Sequence, residues 1–257
     1  MQMDANRIYR DLIGAVDSNL RVDPVDVLAA LEEHRTYWRP SNVRVILLAE
    51  SHVRTSEMET THAVVLRGFS RLSIPKPFVR LVYCLGYGEN AVVDPPLVQN
   101  SGTPQYWGLF WACLNDPKIP ETYHAGPLKK SHGNLQERIK SKIALLSELK
   151  ARGIWLLDAS LIALYGHQKK PRQKAIRSAI EASWNLHVKE TILNARPAAV
   201  VIIGRTVFNI LSEHLLRLKL EELTWIYQPG AFTTSERKVQ DRMTLYRICN
   251  SYAAKAW

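Results

Sequence analysis

Three apolar runs of the sequence end in polar residues that could do chemistry. They are Glu50 in VRVILLAES, Asp158 in IWLLDAS and Gln228 in LTWIYQPGAF, and His52 follows two positions after Glu50. A carboxylate at the end of a buried strand can position a water molecule, exchange a proton or stabilise a developing positive charge. A carboxamide can donate a hydrogen bond to an oxygen on which negative charge develops. The pattern therefore predicts a reactive site at the ends of strands.

Each of these side chains also has a purely structural interpretation. Asp158 could cap a following helix, since Asp is a favoured N-cap residue. Glu50 could form a surface ion pair, and His52 could be a loop residue that faces solvent. Gln228 could mark a site that has lost its catalytic function. The residue types alone leave these alternatives open.

Strands and helices alternate along the chain, as judged from apolar periodicity and from capping residues. The predicted strands are 43–51, 154–160, 198–204 and 223–232, and the predicted helices are 22–38, 104–115, 134–153, 175–197, 206–216 and 235–254, with 56–70 as a further candidate. This order predicts an α/β fold with three αβα layers and a central, mostly parallel four-stranded sheet. In such a sheet the functional residues lie just beyond the carboxyl ends of the strands.

Length and composition fit a single globular domain over residues 1–257. We expect an N-terminal helical segment over 1–40, with Asp23 as a helix cap, and a loop-rich insertion over about 72–125. The insertion is rich in proline, glycine and aromatic residues, with one short aromatic helix near 104–115. We find no internal repeat that would divide the chain further.

Cysteine and histidine spacing indicate neither a disulfide framework nor a metal site. Cys84, Cys113 and Cys249 are odd in number and far apart, which favours reduced thiols in a cytoplasmic protein. No apolar run approaches the roughly 20 residues that a membrane span requires, and the N-terminus lacks a signal-peptide pattern. We therefore expect no metal, no cofactor, no membrane partner and a monomeric protein.

The charge balance favours a polyanionic partner. The chain carries 34 Lys and Arg against 24 Asp and Glu, a net charge of +10, and each phosphate contact made by such residues releases condensed counterions. Basic residues follow three of the predicted strands, although each group could equally be a solvated loop. The candidates for DNA phosphate contact are Lys169, Lys170, Arg172, Lys174, Arg205, Arg237 and Lys238.

The order of the motifs resembles the uracil-DNA glycosylase superfamily. In that family a strand ends in a GQDPYH-like or GEAPG-like motif, and a later strand ends in LLLN. A tryptophan-bearing helix, a VVFLLWG-like strand and a strand ending in HPSP follow. This chain has VILLAESHV, IWLLDAS, ASWNLHV with Trp184, VVIIGRTV and IYQPGAF in the same order. The resemblance covers about residues 43–232, and each single motif is degenerate.

The resemblance implies roles for the strand-end residues. Glu50 falls in the place of the family's catalytic aspartate, which positions water and stabilises the oxocarbenium-like sugar. A second superposition puts Glu50 one step from that position. Gln228 replaces the histidine that donates to the departing base; it can donate a hydrogen bond but cannot become cationic. His52 replaces the tyrosine that blocks C5 of the base, which would leave a more permissive wall.

Asp158 replaces the family asparagine that reads uracil, and this departure bears on substrate choice. A carboxyl group can accept from the N4 amino group of cytosine and share a proton with N3. We expect burial to raise the pKa of Asp158 and so favour that shared proton. Phe232 would wedge into the base stack, and Phe69, or instead Tyr106 or Trp107, would stack on the flipped base. Each aromatic residue could equally be part of the core.

These expectations lead to three candidate functions. The first is a DNA glycosylase that flips out and excises a modified cytosine, in defence against phage with modified DNA. The second is a uracil-DNA glycosylase of base-excision repair. The third is a catalytically silent DNA-binding relative. Because neither GxGxxG nor GxxxxGK[ST] occurs in the sequence, a nucleotide-binding α/β protein with a glycine-rich phosphate loop is not indicated.

Overall fold

A computed structural model of the chain describes residues 4–16, 20–69, 72–118, 134–166, 171–231 and 233–253. The described helices and strands are α1 (Ala5–Ala15), α2 (Val25–Tyr37), β1 (Val45–Ala49), α3 (Glu57–Thr60), β2 (Ala63–Val64), β3 (Val93–Asp94), α4 (Pro104–Leu114), α5 (Leu135–Ala151), β4 (Ile154–Asp158), α6 (Gln173–Ser183), α7 (Lys189–Ala195), β5 (Ala199–Ile203), α8 (Arg205–Leu216), β6 (Glu222–Ile226) and α9 (Ser235–Tyr252). None of these helices is long and apolar enough to cross a membrane.

Residue contacts divide the chain into two compact units. The first unit comprises Met1–Tyr37, Ala49–Gly102 and Asp158–Asn194, and the second comprises Trp38–Leu48, Thr103–Leu157 and Ala195–Trp257. The predicted single domain over 1–257 stays a prediction.

The four predicted strands form one parallel sheet in the order β4-β1-β5-β6. Val45 pairs with Ala199, and Ala199 pairs in turn with Glu222, which fixes the register. Every residue of β1, β4 and β5 is buried, as expected for continuous aliphatic strands covered on both faces. The predicted α/β class with a central four-stranded parallel sheet flanked by helices is confirmed, and it is consistent with three layers. The likeness to glycosylases stays a prediction.

Helices α4, α5, α8 and α9 belong to the second unit. Helix α8 packs on β5 and β6, and α9 packs on β5 and on α4. Helix α5 begins with a reciprocal capping box between Asn134 and Glu137 and passes into β4 through Gly153, whose φ is +80°. A Cβ at Gly153 would lie 2.6 Å from the carbonyl oxygen of Asn42, so this turn requires glycine.

The first unit contains α1, α2, α3, α6, most of α7 and a two-stranded antiparallel sheet of β2 and β3. The prediction of a helix over 56–70 is wrong except for the single turn of α3. Ser56 and Glu59 form a capping box around α3, and the chain then enters β2, which pairs with β3. The predicted helix over 175–197 is present as α6 and α7, joined by a π-helical turn over Trp184–Val188.

Candidate active site

The ends of β1 and β4 lie side by side in the first unit. The backbone amide of Ala159 donates to the carbonyl of Ala49 at 2.7 Å, and the amide of Ser160 donates to the carbonyl of Glu50 at 3.0 Å. Glu50 and Asp158 therefore lie at one edge of the sheet, because neighbouring parallel strands end at the same edge, and their predicted roles stay predictions. Both side chains are largely withdrawn from solvent.

Asp158 is engaged in a buried ion pair. Nη2 of Arg35 lies 2.5 Å from its Oδ2, and Nδ1 of His52 lies 3.4 Å from the same oxygen. Burial favours the protonated carboxyl, but the charges of Arg35 and His52 outweigh it and hold the pKa of Asp158 below its usual value. The expectation of a raised pKa is wrong, because the sequence does not show that a guanidinium from α2 reaches this carboxylate.

The helix-capping interpretation of Asp158 is also wrong. Residues 159–166 after β4 contain no helix, and the next described helix begins at Gln173. The side chain of Asp158 is turned to Arg35 and His52 instead of to a helix N-terminus.

His52 lies between two carboxylates. Its Nε2 is 3.4 Å from Oδ2 of Asp23, and its side chain has no exposed surface. Its Nδ1 is close to Asp158 but is not aligned for a hydrogen bond with any described acceptor. Burial lowers the pKa of His52, but the nearby carboxylates of Asp158 and Asp23 outweigh burial, so the pKa is raised. The interpretation of His52 as a solvent-facing loop residue is wrong.

Asp23 does not cap α2 as predicted. It precedes the helix, is fully buried, and accepts a 2.8 Å hydrogen bond through Oδ2 from the backbone amide of Ala163. A connected set of four side chains, which we call the buried charge network, therefore consists of Asp23, Arg35, His52 and Asp158. Each carboxylate in it lies against a basic group, which reduces the cost of burying it.

Glu50 lies beside the network at the end of β1. Its Oε2 accepts a short hydrogen bond from the hydroxyl of Tyr165. The segment that carries Tyr165 is fixed to the segment after β1: the amide of Arg54 donates to the carbonyl of Tyr165 at 2.9 Å, and the amide of Leu164 donates to Oγ of Ser51 at 3.0 Å. The Glu50 carboxylate is thus held by its own strand and by the loop after β4.

Sequence reasoning missed Arg35 and Tyr165 and assigned Asp23 the wrong partner. Arg35 lies near the carboxyl end of α2, where a basic residue is expected for the helix dipole. Tyr165 lies seven residues after Asp158 with no motif around it. The one available signal was the polar AES and DAS endings of two buried strands, which require countercharges from elsewhere in the chain.

Gln228 lies in the second unit, two residues after the end of β6. It lines a cavity of about 230 Å³, whose walls come from α4, the segment after β6 and α9. The carbonyl of Gln228 accepts from the amide of Ala231 at 2.9 Å, closing the turn through Pro229 and Gly230. Its catalytic role stays a prediction.

The aromatic candidates for base stacking differ in exposure. Trp107 is buried, meets Phe110 edge to face, and has the Lys142 ammonium 5.1 Å from its ring centroid. Trp107 is therefore a core residue. Phe69 is half-buried in a turn after β2, and no described hydrogen bond or ring contact joins it to Glu50 or the network. Tyr106 is half-buried on α4. Phe232 lies outside the described residues.

The predicted DNA-contacting residues are found in both units. Arg172 and Lys174 are exposed at the start of α6 in the first unit. Arg205 and Lys238 are exposed in the second unit, where half-buried Arg237 lies 5.3 and 4.9 Å from the ring centroids of Trp225 and Tyr227. Lys169 and Lys170 lie outside the described residues. Their DNA contacts stay predictions.

Comparison with protein-family models and with curated proteins finds no match to this sequence. The resemblance to uracil-DNA glycosylases therefore rests on the sequence motifs alone and stays a prediction. Within the described ranges, no group of three or more His, Cys, Asp or Glu side chains is arranged to hold a metal ion.

Proposed function

We propose that the protein is a DNA glycosylase that hydrolyses the N-glycosidic bond of a flipped nucleotide and leaves an abasic site. The observation that supports this most is Glu50, a largely buried carboxylate at the carboxyl end of β1, held by Tyr165 beside the buried charge network. A fixed carboxylate in this setting can orient water and stabilise the positive charge that develops on the sugar.

The network suits this chemistry because it holds the strand ends in place. Arg35 and His52 lie against Asp158, and His52 lies against Asp23, so the carboxylates near Glu50 are paired with basic groups. Tyr165 engages Oε2 of Glu50, and Oε1 is not part of that bond. In the proposed mechanism the bond between C1′ and the base breaks, and its electron pair leaves with the base. The water oxygen bonds to C1′ while Oε1 accepts the water proton, which the departed base finally takes up.

The proposed substrate is a modified cytosine. With its pKa lowered, Asp158 acts as a hydrogen-bond acceptor, which matches the N4 amino group of cytosine and not the O4 of uracil. Asp158 is not proposed to share a proton with N3 of cytosine, because Arg35 and His52 favour its ionised carboxylate. Removing unmodified cytosine would damage the host genome, so a C5-modified base in phage DNA, hydroxymethylated or glucosylated, is the fitting target.

A catalytically silent DNA-binding protein is the second candidate. Gln228 cannot become cationic, so it stabilises a departing base less well than the family histidine. The net charge of +10 would still support phosphate binding.

A base-release assay tests the proposal. Oligonucleotides carry uracil, cytosine, 5-methylcytosine, 5-hydroxymethylcytosine or glucosylated hydroxymethylcytosine, and abasic sites are scored by alkaline cleavage. We expect release of a modified cytosine, and a loss of about 10²-fold or more in Glu50→Gln with DNA affinity retained. Glu57→Gln, an exposed carboxylate on α3, is the matched control and should keep full activity.

The remaining outcomes separate the alternatives. Release of uracil alone would overturn the cytosine assignment and favour repair. Salt-dependent DNA binding without release of any base would favour the silent binder. Equal activity of Glu50→Gln and wild type would remove Glu50 from the mechanism.

A further inference from the structure

The cavity after β6 has an apolar floor and a polar mouth. Its floor contains four buried apolar residues, which are Leu109, Ala112, Ile226 and Leu245. Its mouth contains exposed Gln105 and Lys238 and half-buried Gln228 and Arg242. Apolar walls with a few convergent polar groups are the usual features of a small-molecule site.

One carboxyl group lies on the buried side of the cavity. Oδ2 of Asp241 accepts from the backbone amide of Tyr227 at 3.1 Å, and Oδ1 lies 3.0 Å from Nε of Arg237. These two contacts fix the carboxylate against α9 and the end of β6. A fixed carboxylate favours a ligand edge that carries an amino donor.

The mouth adds two amides and two cations. Gln105 and Gln228 can each donate and accept, as an amide-bearing heterocycle requires. Lys238 and Arg242 are four residues apart on α9 and therefore lie on the same side of the helix. Their charges suit a phosphate attached to the ligand.

We propose that this cavity binds one pyrimidine nucleotide, with the base between the apolar walls and the phosphate at Lys238 and Arg242. The choice of a pyrimidine rests on the proposed function, whereas the base-and-phosphate chemistry rests on the cavity. At about 230 Å³ it is smaller than the roughly 300–1,000 Å³ of drug-sized sites, so it accommodates a single base. The ligand is either a free 5′-monophosphate or one nucleotide of a DNA strand.

Calorimetric titration of the full chain tests this site. The probes are deoxycytidine 5′-monophosphate, deoxyuridine 5′-monophosphate, deoxycytidine, deoxyribose 5-phosphate, and short single strands with a cytosine or an abasic site at the centre. We expect saturable binding of the cytosine monophosphate, weaker binding of deoxycytidine, and a preference for the cytosine over the uracil nucleotide.

Three variants and one control assign the binding to the cavity. Gln105→Leu changes an exposed side chain and should reduce affinity about tenfold or more, the effect of about 1.4 kcal/mol. Asp241→Asn keeps an oxygen for the Tyr227 amide and should reverse the preference toward the uracil nucleotide. Arg242→Gln should affect the monophosphate more than the nucleoside. Gln240→Leu, exposed on α9 outside the cavity, should change nothing.

The outcomes are separable from those of the base-release assay. Absence of saturable binding to every probe, or unchanged affinity in Gln105→Leu and Arg242→Gln, would overturn the site even if base release is observed. Nucleotide binding that depends on these residues without base release would support the site and count against the glycosylase. Binding of monophosphates but not strands indicates a free nucleotide as the ligand, and the reverse indicates DNA.

Discussion

In both units polar residues follow the carboxyl ends of parallel strands, but the surroundings of these residues differ. In the first unit, Asp158 and His52 are buried within a network in which each charge has an opposite partner. In the second unit, Gln228 follows β6 and lines a cavity, at whose mouth Lys238 of α9 and Gln105 of α4 are exposed. Burial, and not residue type, therefore distinguishes the two groups: the first is held by opposite charges inside the fold, and the second is exposed to solvent.

The helices that cover the strand ends account for this difference. Helix α2 places Arg35 against Asp158. Asp23, two residues before α2, contacts His52. Helix α9 instead turns Lys238 toward solvent and leaves space between itself, α4 and the end of β6. The comparison implies large stability effects for changes in the network and small ones for changes at the cavity.

The largest effect is expected from Arg35→Met. Removing the guanidinium leaves Asp158 buried with only His52 as a cation, and the free energy of unfolding should fall by about 3–5 kcal/mol. Urea denaturation measures the change. Arg177→Met is the matched control: Arg177 pairs with Glu181 on the surface of α6, and its loss should cost less than about 1 kcal/mol.

A double variant makes the first prediction more specific. The variant with both Arg35→Met and Asp158→Asn should lose less free energy of unfolding than the two single variants lose together. The reason is that the second change removes the charge that the first leaves unpaired. Simple additivity would contradict a coupled network. Asp158→Asn by itself disturbs stability, so it is not a clean test of base recognition.

The second prediction concerns pH. Burial lowers the pKa of His34 to about 4, although hydrogen bonding to backbone groups opposes it. Between about pH 6.5 and 4, His34 is protonated in the unfolded chain but not in the folded chain. The free energy of unfolding should therefore fall as pH decreases through this range, and the contribution of His34 is roughly 3 kcal/mol. Urea denaturation across this range measures the slope, and His34→Gln should reduce it; His187, whose pKa burial also lowers to about 4, accounts for a further part of the slope.

His52 contributes with the opposite sign. Because the pKa of His52 is raised, the stability from its charge is complete below about pH 6.5 and is lost as pH rises through its folded pKa. His52→Gln should remove this loss at alkaline pH and leave the acid branch in place. If the alkaline branch persists in His52→Gln, His52 is not the charged partner of Asp23 and Asp158.

The third prediction separates positioning from folding at Glu50. Tyr165→Phe removes one hydrogen bond to the carboxylate and should lower the free energy of unfolding by about 1 kcal/mol. If Tyr165 orients Glu50 for water activation, kcat for base release should fall about tenfold or more with KM nearly unchanged. A change in KM alone would assign Tyr165 to binding.

The smallest effect is expected at the cavity mouth. Lys238→Gln should leave the free energy of unfolding within about 0.5 kcal/mol of wild type. It should reduce the salt dependence of DNA affinity by about one unit of slope if Lys238 contacts phosphate. Lys140→Gln, exposed on α5, is the control, and an equal change in both variants would indicate only the loss of net charge.

The sequence by itself determined the strands, most helices and the edge at which polar residues gather. Strands such as ILLA and AVVII are recognisable because continuous aliphatic runs have few alternatives to a sheet covered on both faces. Glu50 and Asp158 were found because parallel strands end at a common edge. The helix proposed over 56–70 failed because its apolar residues pair in β2, which local periodicity does not show.

Only the tertiary structure decided what the strand-end residues contact. The pKa of Asp158 depends on Arg35, which is 123 positions away in the sequence, and the orientation of Glu50 depends on Tyr165, which is 115 positions away. No local pattern encodes such pairs, because electrostatic interactions depend on distance in space and on burial. The sequence therefore located the candidate site, and the packing of α2 and of the loop after β4 determined its charge state.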